Sequence, residues 1–418
     1  MERKIAAQTA TVLIVATMDT KGEETAFLKN CFSRMGIPVL IMDAGIRGES
    51  LVPVEITREQ VAESGGKTLV DVRNIGHEGE SLNIMISGAL RLAQNLYRKG
   101  EISGIISLGG SMGTTLATAV MRTFPIGFPK VMISTMASRD TRAFVGTSDI
   151  LMLHSVCDLV GINRITARIL HNGAAAMAGM IQHPPEVVPM NKSVVIVSTL
   201  GTTEACAQRI RHALEQTGRE VVIFHTVGAG GEAMEEMIAQ EEIAAVVDLS
   251  LHEMADHRFG GDYDAGPLRG SAALEKGIPT ILVPGNIDFI VTGPKEKAQK
   301  KFPGRTFHQH NAAITVIRSD PEEMEILGHV IADICNQASG TWSILIPMGG
   351  FSAFDSNGGP MPDQKARQCF TDALQQRLNE NSRAQTFPYH INDPDFAQIV
   401  VHALDCFTGK QSQLKTRK

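Results

Sequence analysis

Short apolar runs that do not alternate with polar residues recur along this chain, and stretches of helical period lie between them. "TVLIVAT" (11–17), "PVLIMDA" (38–44), "ISGIISL" (102–108) and "KVMIST" (130–135) occupy the first half. "SVVIVST" (193–199), "VVIFHT" (221–226), "IAAVVDLS" (243–250) and "PTILVPG" (279–285) occupy the second. A strand that is apolar on both faces must be covered on both faces, which is the condition of a parallel sheet between helical layers. The pattern predicts an α/β protein built as two Rossmann-like, doubly wound parallel-sheet domains.

At 418 residues the chain suits two domains of about 200 residues each. The proline-containing segment "QHPPEVVPMNK" (182–192) reads as the linker, giving domains 1–182 and 193–418. The halves echo each other: "VATMDTKGEE" (15–24) resembles "VSTLGTTEAC" (197–206), and "IGFPKVMIST" (126–135) parallels "KGIPTILVPG" (276–285). Such echoes raise an internal duplication, although βα units also resemble one another by chance. In the first helical segment Leu28, Cys31, Phe32 and Met35 share a face, Thr20 and Glu23 suit a capping box, and Gly36 suits the C-terminal cap. An insertion at 50–90, including "VDVRNIGHEGES", lacks a counterpart in the second half and reads as a flap near the sheet edge.

A formal net charge of −6, with basic clusters only at Lys297, Lys300 and Lys301 and after Lys410, argues against a nucleic-acid partner. The six cysteines (31, 157, 206, 335, 369, 406) form no CxxC pair, as expected of reduced thiols. The apolar core of the N-terminal stretch, Val12 to Ala16, is too short for a signal peptide and runs into charge. No window approaches the roughly 18 uncharged apolar residues of a membrane helix, so a cytoplasmic protein without a membrane partner is expected.

In an open parallel sheet, ligands bind outside the carboxyl ends of the strands. That edge collects Thr17, Asp19, Thr20 and Lys21 after the first strand, Gly109 to Thr115 after the third, and Ser134 to Arg139 after the fourth. The loop Gly109, Gly110, Ser111, Met112, Gly113 offers unobstructed N–H groups, and a helix starting near Thr114 points its positive end at them. Ser111, Thr114 and Thr115 add hydroxyls, and Lys21 is a mobile counter-charge for phosphate. Asp19 reaches a magnesium ion through water or is a turn residue. Thr135, Met136, Ala137 and Ser138, with a second turn at Gly146, Thr147 and Ser148, suit hydrogen bonding to phosphate, ribose or a base edge. Each feature also has a packing explanation, since close helix–sheet contact calls for glycine and loops call for hydroxyl caps.

The second half has its own polar cluster, "DLSLHEMADHRFGGDYDAG" (248–266). Three residues separate Glu253 from His257, so this is not HExxH. Glu253, Asp256 and His257 share a helical face, and with His308 and His310 they form either a divalent-metal or acid–base site or a set of structural histidines. "GAGGE" (228–232) is a glycine turn at the analogous edge, and Ser352 and Asp355 of "PMGGFSAFDSNGGPMPD" (347–363) face either a small anionic substrate or a turn-rich core. No residue identifies itself as a nucleophile or general base.

"ATMDTKGEE", "SLGGSMGTTL", "IGFPKVMISTMAS", "VGTSDILML" and "NGAAAMAGM", in that order, resemble the Tm-one-like ATP-binding domain family, named for the tomato mosaic virus resistance protein. The resemblance runs through essentially the whole chain. It implies an ATP-binding N-terminal domain, a C-terminal domain of related α/β fold and a homodimer. It places nucleotide contacts at Asp19 and Lys21, Gly109 to Thr115, Ser134 to Ser138, and Gly146 to Ser148, with Met112 contributing its backbone N–H only. The expectation is a cytoplasmic, homodimeric protein that binds ATP with Mg²⁺. Two rivals stand beside it. One is an enzyme acting on a small phosphorylated or carboxylate metabolite between the domains, using His252, Glu253, His257, His308 and Asp355. The other is a protein-interaction module that nucleotide stabilises.

Overall fold

The computed structural model describes residues 10–50, 52–184 and 193–409. The chain divides into two compact units, Met1–Val188 and Pro189–Lys418. Residues 185–192, most of the expected linker, lie outside the described residues.

The first unit is a five-stranded sheet of β1 (Val12–Ala16), β2 (Val39–Asp43), β3 (Gly104–Gly109), β4 (Lys130–Ser134) and β5 (Leu151–His154). All neighbours are parallel and the order is β2-β1-β3-β4-β5. Every residue of β1, β3 and β4 is buried, because helices cover both faces. The order reverses between β1 and β3, so the crevice of this fold opens at the carboxyl ends of those two strands.

The first helix, Met18–Arg34, starts two residues before Thr20, and the expected capping box is absent. Its N-cap, Thr17, makes no side-chain cap; instead Met18 N–H donates to Asp43 Oδ1 at 3.2 Å. Leu28, Cys31 and Phe32 are buried as expected, and Gly36 takes the left-handed φ of +70° that ends the helix.

The 50–90 insertion is not a flap. It supplies helices Arg58–Ser64 and Leu69–Asn74 and the start of Glu78–Arg98, which form the crossover from β2 to β3. Val61, Ala62, Leu69, Val72 and Met85 pack in one core with Leu13, Val15, Met42 and Ile105 of the sheet. The helices approach so closely that a Cβ on Gly88 would lie 1.8 Å from the Val61 carbonyl oxygen. The polar sequence of this segment describes its outer face.

The second unit has a six-stranded parallel sheet of β6 (Val194–Thr199), β7 (Glu220–His225), β8 (Ala245–Ser250), β9 (Thr280–Gly285), β13 (Trp342–Pro347) and β14 (Ala384–Phe387). Between β9 and β13 the chain forms an antiparallel insert of β10 (Phe289–Thr292), β11 (Phe307–Gln309) and β12 (Thr315–Arg318). Read from β7, the main order is β7-β6-β8-β9-β13-β14, which repeats the first unit's order and adds one edge strand. The echoed segments therefore occupy equivalent places. The insert packs Phe289, Val291 and Val316 with Leu200, which follows β6, and with Met361. Among the described residues no helix is long and apolar enough to cross a membrane, and all six cysteines are free thiols.

Candidate functional site

The chain leaves β3 at Gly109 and enters helix Ser111–Met121 through Gly110, three residues earlier than the sequence predicts. Ser111, Met112 and Gly113 therefore form the helix's first turn, and their N–H groups cannot bond within it. Gly110 provides no side-chain cap, and among the described residues no group accepts from these three N–H groups. The side chains of Ser111 and Met112 are exposed. The helix thus presents an unfilled positive end at the strand-order reversal. Across the crevice Thr17 and the start of helix Met18–Arg34 form the other wall.

Asp19 Oδ2 accepts the Arg47 N–H at 3.2 Å, and glycines hold the facing loop against it. A Cβ on Gly45 would lie 3.1 Å from Asp19 Cγ, and one on Gly48 3.2 Å from Asp19 Cβ. Lys21 sits at a kink in the helix, and Nζ reaches the Thr20 carbonyl at 3.3 Å.

The serine-rich turn after β4 joins this edge. Ser134 Oγ is 2.6 Å from Thr114 Oγ1 and accepts the Met136 N–H at 2.9 Å. Thr114 Oγ1 also donates to the Gly110 carbonyl at 2.7 Å, and Thr115 Oγ1 to that of Ser111 at 2.9 Å. Ser134 and Thr114 are buried, so they hold the glycine turn in place. Thr135 Oγ1 lies 3.8 Å from where a Gly110 Cβ would be. Met136 and Ala137 are half-buried and Ser138 is exposed.

Gly146, Thr147 and Ser148 do not belong to this edge. They precede β5, which runs parallel to β4, so the chain must return to the amino edge before Leu151 pairs with Val131. The adjacent Asp149 pairs with Lys130 at the start of β4 and accepts the Gly127 N–H at 2.7 Å. Within one chain these three residues lie at the opposite end of the sheet from Gly110. The parallel crossover forces this, and a motif order cannot show it.

The sequence reading missed a cavity of about 250 Å³ beside the glycine turn. Thr17, Asp19 and Thr20 line it together with Ala44, Ile46 and Arg47 after β2, with Val72, Arg73, Gly76, His77, Glu78, Ser81 and Leu82 of the crossover, and with Met112. Met112, in the first turn of the helix, thus also lines this cavity. Arg73 fixes one wall by donating from Nε to the Ile46 carbonyl at 2.6 Å, and buried Arg58 fixes another by joining Asp43 to the Gly48 carbonyl. "VDVRNIGHEGES" was the available signal, once recognised as part of the β2–β3 crossover.

In the second unit, His252, Glu253, His257 and Asp355 are each engaged by other groups of the same unit. Glu253 is buried; Oε1 accepts N–H groups from Gly228 at 2.7 Å and Gly231 at 3.0 Å. The "GAGGE" turn therefore already holds a carboxylate of its own chain. Glu253 Oε2 also takes Nε of Arg269 at 2.7 Å, and that guanidinium, 1% exposed, bridges to both Asp248 oxygens at 2.6 and 2.7 Å and to Glu235 at 3.2 Å. Burial pushes the carboxyls of Glu253 and Glu235 up, with Arg269 opposing it.

His252 is fully buried, with Nδ1 3.0 Å from the Asn286 carbonyl and Nε2 3.4 Å from Asp256 Oδ2. Burial opposes a charge on its ring, but Asp256, the Asn286 carbonyl and Glu253 together outweigh this and raise its pKa. His257 is half-exposed and pairs with Asp264 at 2.9 Å. His308 and His310 flank Phe354, at 5.1 and 6.3 Å between ring centroids. Asp355 is buried against Arg367 at 2.6 Å, and Ser352 Oγ donates to Asp288 at 2.7 Å. Burial and then Asp355 push the Asp288 carboxyl up to about 6. Among the described residues no three His, Cys, Asp or Glu side chains are grouped as a metal site.

Fold and edge together define a two-unit α/β protein whose first unit has, among the described residues, a cavity and an uncapped helix terminus at its strand-order reversal. The chain belongs to the UPF0261 family: "Uncharacterised protein family (UPF0261) N-terminal domain" matches residues 10–186 and its C-terminal domain counterpart residues 192–408. It is 36% identical over 387 residues to a UPF0261 protein of Clostridium tetani, covering 92% of this chain and 96% of that one. It is 33% identical over 417 residues to the ToMV resistance protein Tm-1(GCR237) of Solanum lycopersicum, covering 93% of this chain but 55% of the tomato protein. Among solved structures, UDP-GlcNAc 2-epimerase of Methanocaldococcus jannaschii matches with a TM-score of 0.24 and 8% identity, over 96% of this chain and 93% of that one. MurG of Acinetobacter baumannii matches at 0.23 and 11%, over 96% and 99%. Likeness at that level transfers no function.

Proposed function

We propose that the first unit binds ATP, with its phosphates over the first turn of helix Ser111–Met121. The observation that carries this reading is the set of unfilled N–H groups at Ser111, Met112 and Gly113, placed at the strand-order reversal. Lys21 adds the mobile positive charge and Thr135 a hydroxyl. One carboxylate beside phosphates is the arrangement Mg²⁺ takes in nucleotide sites, and Asp19 suits it because Oδ1 makes no hydrogen bond among the described residues. The motif resemblance to the Tm-one-like family supports ATP as the occupant.

Calorimetric titration with ATP, ADP and inorganic phosphate tests this reading. Gly110→Asp sets a carboxylate at the phosphate position and is expected to weaken ATP binding by about 100-fold or more. Lys21→Ala is expected to cost about tenfold, in line with charge-assisted hydrogen bonds. Unchanged ATP affinity in both variants removes the N-terminal site.

The homodimer and the cytoplasmic location belong to the same proposal. Leu151 on edge strand β5, Val156 and Val160 after it, and Ile165 are exposed apolar residues on one stretch of chain, which suits contact with a second copy. Light scattering of Val156→Asp/Val160→Asp is expected to give a monomer where the parent is a dimer.

A further inference from the structure

The cavity beside the glycine turn adjoins the proposed phosphate position but is not lined by Gly110, Ser111 or Gly113. Its volume of about 250 Å³ is below the roughly 300–1,000 Å³ of pockets that enclose a whole drug-sized ligand, so it takes part of one. Its apolar lining comes from Ala44, Ile46, Val72, Leu82 and Met112, contributed by three separate chain segments. Met112, 45% exposed, stands in the first turn of the helix whose N–H groups are open, so this side chain joins the apolar surface to the anion position. The charged side chains that also line the cavity have both signs, Asp19 and Glu78 against Arg47 and Arg73, so they offer a phosphate no excess of positive charge.

These features give the site a polarity. We propose that the cavity is a nucleobase subsite, in which the base lies against Met112, Ile46 and Leu82 while the phosphates extend toward Gly110 and Thr135. The inference rests on the nucleotide reading above and adds to it: recognition is shared between a charged end and an apolar end fixed by the β2–β3 crossover. Arg73 and Arg58 act as positioning residues, because they tie the 46–48 carbonyls and so hold the Ile46 wall.

The two ends are separable by ligand. Calorimetry on the full chain with Mg²⁺ compares ATP with inorganic tripolyphosphate, which carries the anion without the base. The wild type is expected to bind ATP at least about tenfold more tightly, since burying one apolar group of this size is worth more than 1.4 kcal/mol. Leu82→Trp and Ile46→Trp fill the cavity from different walls; each is expected to erase that preference while tripolyphosphate affinity stays within about twofold, which also reports that the variant is folded. Gly110→Asp is expected to weaken both ligands. Equal binding of ATP and tripolyphosphate by the wild type, or a preference that survives both tryptophan variants, overturns the base subsite and leaves the phosphate site standing. Binding of neither ligand by the wild type overturns both.

Discussion

After β3 the helix cap is Gly110, and the residue two positions on is Met112, whose side chain lines a cavity. After β8, the strand at the same place in the second sheet, the cap is Leu251 and the residue two positions on is Glu253, whose carboxylate fills the glycine turn after β7. Both sheets place helix N-termini at their carboxyl edge, as parallel topology requires. The glycine turn after β3 has no acceptor on its N–H groups among the described residues, whereas the glycine turn after β7 is filled by Glu253, itself bound to Arg269. Topology supplies the potential anion site, and the neighbouring side chains decide whether a ligand is admitted.

This contrast can be broken experimentally, most severely at Arg269. Arg269→Met strands Asp248, Glu253 and Glu235 without their shared counter-charge, and removing one partner of a buried ionic group costs about 3–5 kcal/mol. Urea denaturation should show a loss of that order; a loss within about 1 kcal/mol would mean the cluster is not what closes the second edge. Glu253→Gln keeps a carbonyl oxygen for the Gly228 and Gly231 N–H groups but surrenders the charged bond to Arg269, with an expected cost of about 1.5–3 kcal/mol.

A pH series sharpens the comparison within the second unit. Asp288 has its carboxyl raised to about 6 in the folded chain, so between an unfolded pKa near 4 and that value the native state holds a proton that the unfolded state has lost. Its contribution is fully present at the lower end and is lost as pH rises through about 6, on the order of 1–3 kcal/mol. Glu235 and Glu253, also raised, act in the same direction, so the slope of Asp288→Asn is to be subtracted from that of the parent. Parallel stability curves for the two would remove Asp288 from the account.

The smallest effect is a matched pair of glycines. Gly110 has φ −83° and the nearest atom to its would-be Cβ is 3.8 Å away, so Gly110→Ala should change stability by less than about 0.5 kcal/mol. A Cβ on Gly231 would lie 1.8 Å from Glu253 Oε2, so Gly231→Ala should cost about 1–3 kcal/mol through overpacking. Equal melting temperatures for the two variants would contradict the assignment of one edge as open and the other as filled.

Much of this was legible in the residues. Non-alternating runs such as "TVLIVAT" and "IAAVVDLS" marked the buried parallel strands, because burial on both faces leaves no place for polar residues. β5 begins within the motif "VGTSDILML" and ends at His154, too short and too exposed to read as a core strand. Placing Gly146 to Ser148 with the glycine turn failed for a related reason, since the connection between parallel strands β4 and β5 runs back to the amino edge and carries these residues with it.

By itself the sequence determined the local elements: which segments are strands, where glycine opens a turn, and that Lys21, Gly110 and Ser134 follow strands of one sheet. Tertiary structure alone decided which glycine turn is vacant. Glu253 fills the turn after β7 from 22 residues or more along the chain, and Met112 meets Val72 and Leu82 only because the crossover helices pack over β1 and β3. Occupancy of a helix terminus depends on charges brought near it in space, and that distance is set by packing.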